Sequence, residues 1–223
     1  MKKNVIFDFN GTMIFDTPLH TRAWHNYMPA VIGRYLTQEE LDRYVIGQIN
    51  NDIFRRFLGA DISQEEIDRH AYDKEAEYRR QCLLAPDIFH LVDGLEEFLD
   101  YLKAEGYSMT IATGSPLENL NLYLDHFNLR RWFSAEDIIY DDGTYPGKPA
   151  PDIYLLTMER LGVKPEDCVV FEDSLGGVTA AHAAGIPTII ALNEAGDERF
   201  YDRVGGVTRV IRNYRDFRDL PLE

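Results

Sequence analysis

Short apolar runs alternate along this chain with segments in which apolar residues recur at helical spacing. Such alternation is typical of buried parallel strands that are joined by crossover helices. The runs that predict strands comprise residues 4–9, 108–112, 137–140, 168–171 and 188–192. Helical spacing is found in residues 95–104, 117–127, 152–161 and 175–184. We therefore predict an α/β fold with a doubly wound parallel sheet.

Residues 16–92 follow a different pattern. No strand-like run is evident in this segment. Helical periodicity recurs there in residues 41–46, 53–58 and 65–78. An α-helical insertion after the first strand explains the change. We expect a Rossmann-like core of residues 1–15 and 93–223, interrupted by a helical domain of residues 16–92.

Composition limits the classes of partner. The chain has 23 Lys and Arg against 38 Asp and Glu, a formal charge of −15. Nucleic acids and anionic membranes are bound mainly through clustered basic side chains, so this charge argues against both. No apolar run approaches the ~20 residues of a membrane-spanning helix. The first residues lack the pattern of a signal peptide, so we expect a cytoplasmic protein.

Cysteine and aromatic residues add little to the functional picture. Cys82 and Cys168 are far apart and belong to no C-x-x-C pair, which predicts two buried free thiols. The aromatic residues other than Trp24 are expected to serve packing.

Polar residues follow the predicted strands. The set comprises Asp8, Asn10, Gly11, Thr12, Thr113, Gly114, Ser115, Lys148, Glu172 and Asp173. In open parallel sheets, ligands bind at the carboxyl ends of the strands. We therefore expect these side chains to meet at one edge of the sheet, although the chain separates many of them widely.

Three carboxylates in this set indicate a metal site. Asp8, Glu172 and Asp173 cannot all be ionised at close range without a cation, because like charges raise each other's pKa. Oxygen ligands without a nearby histidine suit Mg²⁺, which is commonly bound by one or two carboxylates together with phosphate oxygens.

The remaining residues of the set suit a phosphoryl group. Lys148 can hold a phosphoryl oxygen and restrain a nucleophile, while Thr113, Ser115 and the backbone N–H groups around Gly114 can cradle the other oxygens. A carboxylate in such surroundings can attack phosphorus and form an aspartyl-phosphate that water then hydrolyses.

Four motifs carry a family resemblance. They are F-D-F-N-G-T (7–12), A-T-G-S (112–115), G-K-P-A-P-D (147–152) and V-F-E-D-S (170–174). In this order they resemble the haloacid dehalogenase-like hydrolase superfamily, and in particular its β-phosphoglucomutase-like branch, in which a helical cap is inserted into the core. The resemblance implies a Mg²⁺-dependent phosphatase, with residues 16–92 as the cap.

The same resemblance implies roles for individual residues. Asp8 would be the nucleophile, and Thr113 and Lys148 would bind phosphate. Mg²⁺ would be held by Asp8, Asp173 and the backbone carbonyl of Asn10, with Glu172 assisting.

Asn10 departs from the family pattern, because the family has a general acid/base aspartate there. An amide keeps the backbone carbonyl for the metal but cannot shuttle a proton. General acid–base catalysis contributes a factor of ~10² to 10⁴, so poor leaving groups should suffer most. Acyl phosphates, pyrophosphate and aryl phosphates should suffer less. Asn10 could also be an engineered substitution that traps substrate, or it could deamidate slowly, because Gly11 follows it.

Several cap residues are assigned by resemblance alone. His20 and Trp24 would face the cleft from the first cap helix, and Gly47 and Asn50 would lie in the specificity loop. Asn50 stands where sugar-phosphate mutases place a phosphate-gripping arginine, whereas Lys74 corresponds to a second phosphate contact. Two alternatives stay open: a packed hinge histidine at position 20 and a solvated lysine at position 74.

Three functions remain compatible with the sequence. The first is a phosphatase for a small phosphorylated metabolite. The second is a phosphosugar mutase, against which Asn10 and Asn50 both argue. The third is a catalytically impaired protein that binds a phosphorylated ligand. Carbon–halogen hydrolysis has no use for a three-acid metal site. We expect a monomer or a weak dimer.

Overall fold

The computed structural model describes residues 3–46 and 48–222. The chain divides into a core unit, which runs to Phe15 and resumes at His90, and a helical unit, Asp16–Phe89. The second boundary falls three residues before position 93, because Leu91 bridges to Ile14 and Val92 N donates to a core-unit carbonyl.

A six-stranded parallel sheet forms the centre of the core unit, in the order β3-β2-β1-β4-β5-β6. The strands are β1 (Asn4–Phe7), β2 (Ser108–Pro116), β3 (Ile139–Asp141), β4 (Cys168–Glu172), β5 (Thr188–Leu192) and β6 (Val207–Ile211). This arrangement confirms the predicted doubly wound α/β fold.

The described residues form eight α-helices, four in the helical unit and four in the core unit. They are α1 (Thr17–Ile32), α2 (Gln38–Tyr44), α3 (Asn50–Leu58), α4 (Gln64–Leu84), α5 (Leu95–Ala104), α6 (Leu117–His126), α7 (Asp152–Leu161) and α8 (Leu175–Ala183). Short 3₁₀ helices span Leu129–Arg131, Ala135–Asp137, Pro165–Asp167, Glu198–Tyr201 and Phe217–Asp219. In the part of the chain that the structure describes, no helix is long and apolar enough to cross a membrane.

The register of the central strands fixes the edge at which polar residues meet. Phe7, the last residue of β1, pairs with Ile111 of β2 and Phe171 of β4. The residue after each partner therefore lies beside Asp8. β1 is short because the chain turns directly after it: the Phe9 carbonyl accepts bonds from the amides at positions 12 and 13.

Two strands differ most from the sequence prediction, while β1 ends two residues early and β3 begins two residues late. β2 continues past position 112 to Pro116, because Pro116 pairs with Asp141 of β3. β6 was not predicted, since its sequence V-T-R-V-I is interrupted by polar residues. It is a half-exposed edge strand, and edge strands need not carry a continuous apolar run.

The helical unit has an apolar core of its own. Its buried residues are Trp24, Met28, Leu36, Leu41, Val45, Ile53, Phe54 and Ile67. Capping boxes begin α2 and α4, where Thr37 pairs with Glu40 and Ser63 pairs with Glu66. The three segments with predicted helical periodicity overlap α2, α3 and α4, although the first of them runs two residues past the end of α2.

Candidate active site

The candidate site is built around an ion-paired lysine. Lys148 Nζ lies 2.6 Å from Asp8 Oδ1 and 2.6 Å from Glu172 Oε1. Burial by itself lowers the pKa of the Lys148 ammonium, but the two carboxylates outweigh burial and hold that pKa well above its ordinary value. Lys148 is therefore positively charged at neutral pH.

Strand geometry explains why these side chains meet. Asp8 directly follows β1, and Glu172 is the last residue of the neighbouring strand β4. Lys148 comes from the loop between β3 and α7 and joins Pro149 through a cis peptide bond. The three residues are distant in the sequence, yet they occupy one end of the sheet.

Glu172 is an internal anchor of the site. Its side chain is fully buried. Oε1 accepts a hydrogen bond from Tyr154 Oη over 3.0 Å, in addition to the lysine. Oε2 accepts from the backbone N–H groups of Asp173 (2.9 Å) and Ser174 (3.1 Å). Protein donors thus engage both oxygens, and Glu172 fixes the lysine and the start of α8.

Three carboxylates converge at this point. Asp8, Glu172 and Asp173 each offer an oxygen within 4.8 Å of the other two. Gly11 makes room for the cluster, because its φ is +78° and an added Cβ would overlap the Asp173 carboxylate. Thr12 Oγ1 donates to Asp173 Oδ1 over 3.4 Å. Three carboxylates beside an open backbone turn fit the oxygen preference of Mg²⁺.

β2 contributes the next group of candidate residues. Thr113 is fully buried, and its Oγ1 accepts a hydrogen bond from Ser115 N over 3.1 Å. Ser115 is also buried, whereas Gly114 between them is exposed. Because Ile111 of β2 pairs with Phe7 of β1, all three residues lie at the same end of the sheet as Asp8.

Asn10 is held by two side chains. Its Oδ1 accepts a hydrogen bond from Ser115 Oγ over 2.7 Å, and its Nδ2 donates to Tyr123 Oη over 3.0 Å. Tyr123 is fully buried and stacks on Phe9, with 4.1 Å between the ring centroids. The amide is thus oriented by the core unit.

Lys74 belongs to a buried polar cluster of the helical unit. Its ammonium nitrogen lies 2.8 Å from Glu75 Oε1 and 2.9 Å from His20 Nδ1. Asn50 Nδ2 donates to the same Glu75 oxygen over 3.1 Å. Lys74 is only 2% exposed, so it is not the solvated lysine that its charged helix also allowed.

His20 occupies a packed position in the same cluster. Its ring stacks on Tyr78 at 3.8 Å, and its Nε2 lies 3.3 Å from Asp16 Oδ2, which also accepts from Tyr78 Oη. Because Nδ1 faces the Lys74 ammonium, the proton of a neutral imidazole is on Nε2.

Trp24 and Gly47 complete the predicted cap residues. Trp24 is 3% exposed, packs against Phe54 and has Lys74 Nζ 4.9 Å from its ring centroid. It is therefore part of the apolar core of the helical unit. Gly47 lies outside the described residues.

A sequence model of the family described as haloacid dehalogenase-like hydrolase matches residues 2–185. The chain belongs to the haloacid dehalogenase-like hydrolases. The resemblance that the four motifs indicated is thereby confirmed.

Two curated relatives of this hydrolase act on sugar phosphates according to their names. Fructose-1-phosphate phosphatase YqaB of Escherichia coli (strain K12) is 31% identical over 189 residues, 83% of this chain and 94% of the relative. β-Phosphoglucomutase of Mycobacterium bovis is 26% identical over 215 residues, 86% of this chain and 81% of the relative. The hydrolase is thus similar to a phosphatase and to a mutase.

A solved structure shows the same fold. The HAD hydrolase, family IA, variant 3, from Entamoeba histolytica HM-1:IMSS is 34% identical to this hydrolase and superposes with a TM-score of 0.87. The match covers 95% of this chain and 93% of that one.

Buried tyrosines of the hydrolase were missed as site residues. The expectation that such aromatic residues serve packing alone is wrong for Tyr154, which binds Glu172, and for Tyr123, which binds Asn10. Tyr201 Oη likewise donates to the Asp173 carbonyl over 2.7 Å. Burial, and then nearby carboxylates, raise the pKa of Tyr154 and Tyr201, so both remain donors. The residues next to these tyrosines in the sequence form no motif that would predict the contacts.

Proposed function

We propose that this hydrolase is a Mg²⁺-dependent phosphatase that releases phosphate from the monoester of a small sugar-like metabolite. The observation that carries the proposal is the position of Lys148 between Asp8 and Glu172, at the end of the sheet where Asp173 and Thr113 also lie. A phosphatase among the curated relatives supports the reaction class.

Asp8 is the proposed nucleophile. Its carboxylate pairs with the Lys148 ammonium over 2.6 Å, and an ionised carboxylate is nucleophilic. In the first step an Asp8 oxygen bonds to phosphorus while the ester oxygen leaves with the bonding electrons. In the second step water attacks the aspartyl-phosphate, which releases inorganic phosphate and restores Asp8. Lys148 stays protonated and stabilises the charge on the phosphoryl oxygens, assisted by the buried Thr113.

Mg²⁺ would be held by Asp8, Asp173 and the backbone carbonyl of Asn10, as the resemblance implies. When bound, the ion would neutralise the carboxylates and the phosphate that approaches them. Glu172 assists by anchoring the lysine, since its own oxygens already accept hydrogen bonds from protein donors.

Asn10 limits the range of leaving groups. Its amide cannot protonate the departing oxygen, so that proton must come from solvent. Substrates whose leaving group is stable as an anion are therefore favoured. A mutase must deprotonate one sugar hydroxyl and protonate another, so the same amide argues against mutase activity.

We further propose that the helical unit acts as a cap that selects the substrate. His20, Asn50, Lys74 and Gly47 are its proposed recognition residues, whereas Trp24 supports them from the apolar core of the helical unit. Lys74 is already paired with Glu75, and Asn50 supports that pair. A neutralised lysine attracts an anion weakly, which favours a substrate with a single phosphate and a hydroxylated, uncharged remainder.

Turnover of an aryl phosphate with Mg²⁺ tests the proposal. We expect activity in the wild-type protein, none after Asp8→Ala, and wild-type activity in Asp125→Ala, an exposed aspartate of α6. Mass spectrometry of the acid-quenched enzyme should find one phosphoryl group on the Asp8 peptide.

A panel of sugar phosphates then separates the alternatives. Free sugar and inorganic phosphate are expected as products. An isomeric sugar phosphate would identify a mutase instead. Saturable binding of sugar phosphates without turnover of any ester would identify a binding protein.

A further inference from the structure

The helical unit has a cavity with a basic lining. Its volume is about 570 Å³, and it is lined by Arg43, Tyr44, Gln48, Asp52, Arg55 and Arg56. Three arginines and one acid give this lining a net charge of +2. Residues 16–92 as a whole have nine Lys and Arg against thirteen Asp and Glu. The cavity is therefore positive within an acidic segment of an acidic protein.

Two of the three guanidinium groups lie near the ring of Tyr44. The Cζ atoms of Arg56 and Arg43 lie 3.9 Å and 5.4 Å from the centroid of its ring. Stacking occupies the face of a guanidinium group and leaves the N–H donors at its edge available to an oxyanion. Two positive groups on one ring also repel each other, and a bound anion relieves that repulsion.

Arg55 is oriented by neutral partners. Its Nη1 donates to the carbonyls of Ala60 and Ile62, both over 3.2 Å, and its Nη2 donates to Gln64 Oε1 over 3.1 Å. These bonds order the guanidinium without neutralising its charge. The side chain is thus fixed beside the cavity as a full positive charge.

Carboxylates do not neutralise this group of arginines. Within the described residues, no carboxylate oxygen lies within 4.0 Å of Arg55 or Arg56, and Arg43 reaches only Glu39, at 3.9 Å between exposed side chains. Ion pairs of that kind contribute little. Arg43 and Arg56 therefore keep donors available to an external anion, and Arg55 adds its positive charge.

We propose that this cavity binds a small metabolite with two or more phosphate or carboxylate groups. Guanidinium groups bind such oxyanions through paired N–H donors, and the volume lies in the ordinary range for small-molecule sites. The site uses none of the residues assigned to catalysis, so it would serve a second ligand rather than the reacting ester.

Nuclear magnetic resonance of the arginine side chains tests the site directly. The ¹⁵N-labelled full-length protein is titrated with pyrophosphate, and separately with citrate, at constant ionic strength and without Mg²⁺. We expect the Nε–Hε signals of Arg43, Arg55 and Arg56 to shift along one saturating curve. Those of Arg22 and Arg69, exposed on α1 and α4, should stay in place. Saturation by pyrophosphate alone indicates a phosphate site, and saturation by both anions indicates a general oxyanion site.

Matched double variants provide a second test of anion binding. Arg43→Gln with Arg56→Gln should weaken binding by about tenfold or more, whereas Arg22→Gln with Arg69→Gln changes the net charge equally and should leave it intact. Equal weakening in both doubles, or shifts confined to signals near Lys148, would overturn the proposal. Aryl phosphate turnover should be unchanged in the Arg43/Arg56 double, so the outcome is independent of the proposed phosphatase activity.

Discussion

Lys148 and Glu172 form a buried ion pair, with 2.6 Å between Nζ and Oε1 and with the Glu172 side chain completely shielded from solvent. Asp8 shares the same ammonium group. The pair connects the stability of the core unit to the proposed chemistry, because one cation serves an anchoring carboxylate and a nucleophilic one.

Replacing Lys148 with methionine should therefore damage both properties. It leaves two buried carboxylates without their cation, which is expected to lower the free energy of unfolding by about 3–5 kcal/mol without Mg²⁺. Turnover should fall by a factor of ~10² to 10³, as is usual when one preorganised electrostatic group is removed. Urea denaturation and aryl phosphate kinetics measure the two effects. Lys164→Met, at an exposed lysine, is the control, and an equal loss of stability there would contradict the argument.

Gly11→Ala should disturb the carboxylate cluster. Its φ of +78° is costly for alanine, and the new Cβ would overlap the Asp173 carboxylate. We expect a loss of about 1–3 kcal/mol in stability and a higher Mg²⁺ requirement for turnover. Gly114→Ala meets no atom within 4 Å of its added Cβ and should unfold at nearly the wild-type urea concentration. Equal stability losses in the two variants would refute the steric account.

Asn10→Asp should restore a proton shuttle. Ser115 can donate to the new carboxylate as it does to the amide, and Tyr123 can reverse its hydroxyl from acceptor to donor. Turnover of sugar phosphates should rise by a factor of ~10² to 10⁴, while acetyl phosphate should gain little. Asn121→Asp on the exposed side of α6 is the control.

Two results would contradict this prediction. One is an equal gain on both classes of substrate. The other is a wild-type activity that grows with the fraction of protein deamidated at residue 10, as followed by peptide mass spectrometry.

Glu75→Gln should change how strongly the hydrolase prefers substrates with one phosphate over substrates with two. The substitution keeps the shape of the side chain and frees the Lys74 ammonium, which Glu75 neutralises at 2.8 Å. We expect KM for a sugar bisphosphate to fall by roughly tenfold relative to the monophosphate, about 1.4 kcal/mol. Glu65→Gln, at an exposed position of α4, should leave the ratio unchanged. If the ratio of the two KM values is unchanged in Glu75→Gln, Lys74 does not take part in substrate selection.

The two thiols should resist modification in the folded protein. Burial, reinforced by Asp16 and Glu75, raises the pKa of Cys82 to about 12, and burial with Asp167 and Glu166 raises that of Cys168 to about 11. A thiol-disulfide reagent at pH 8 should react with neither until denaturant is added. Appreciable reaction of the native protein at pH 8 would contradict the burial of these thiols.

The raised pKa values of the two thiols make the stability of the folded protein depend on pH. The folded state holds both thiol protons more tightly than the unfolded state does. Stability should therefore fall as the pH rises above about 9, the region in which unfolded thiols ionise. Cys82→Ala with Cys168→Ala should flatten this decline.

Local patterns were sufficient for most of the sheet, because strands buried on both faces need continuous apolar runs and crossover helices need an apolar stripe. β5 and α7 have the predicted bounds. Local patterns failed at β6, whose exposed edge tolerates Thr208 and Arg209. They also failed at the end of β2, where pairing with β3 extends a strand through small polar residues.

By itself the sequence determined that Asp8, Glu172 and Asp173 would meet, since alternating strands and helices make a parallel sheet and parallel strands end at one edge. Only the tertiary structure decided which partners hold the buried polar groups. Tyr123 is 113 residues from Asn10, and Tyr201 is 28 residues from Asp173. No local periodicity encodes such contacts, because they arise when separate elements pack and each buried polar group must find a partner.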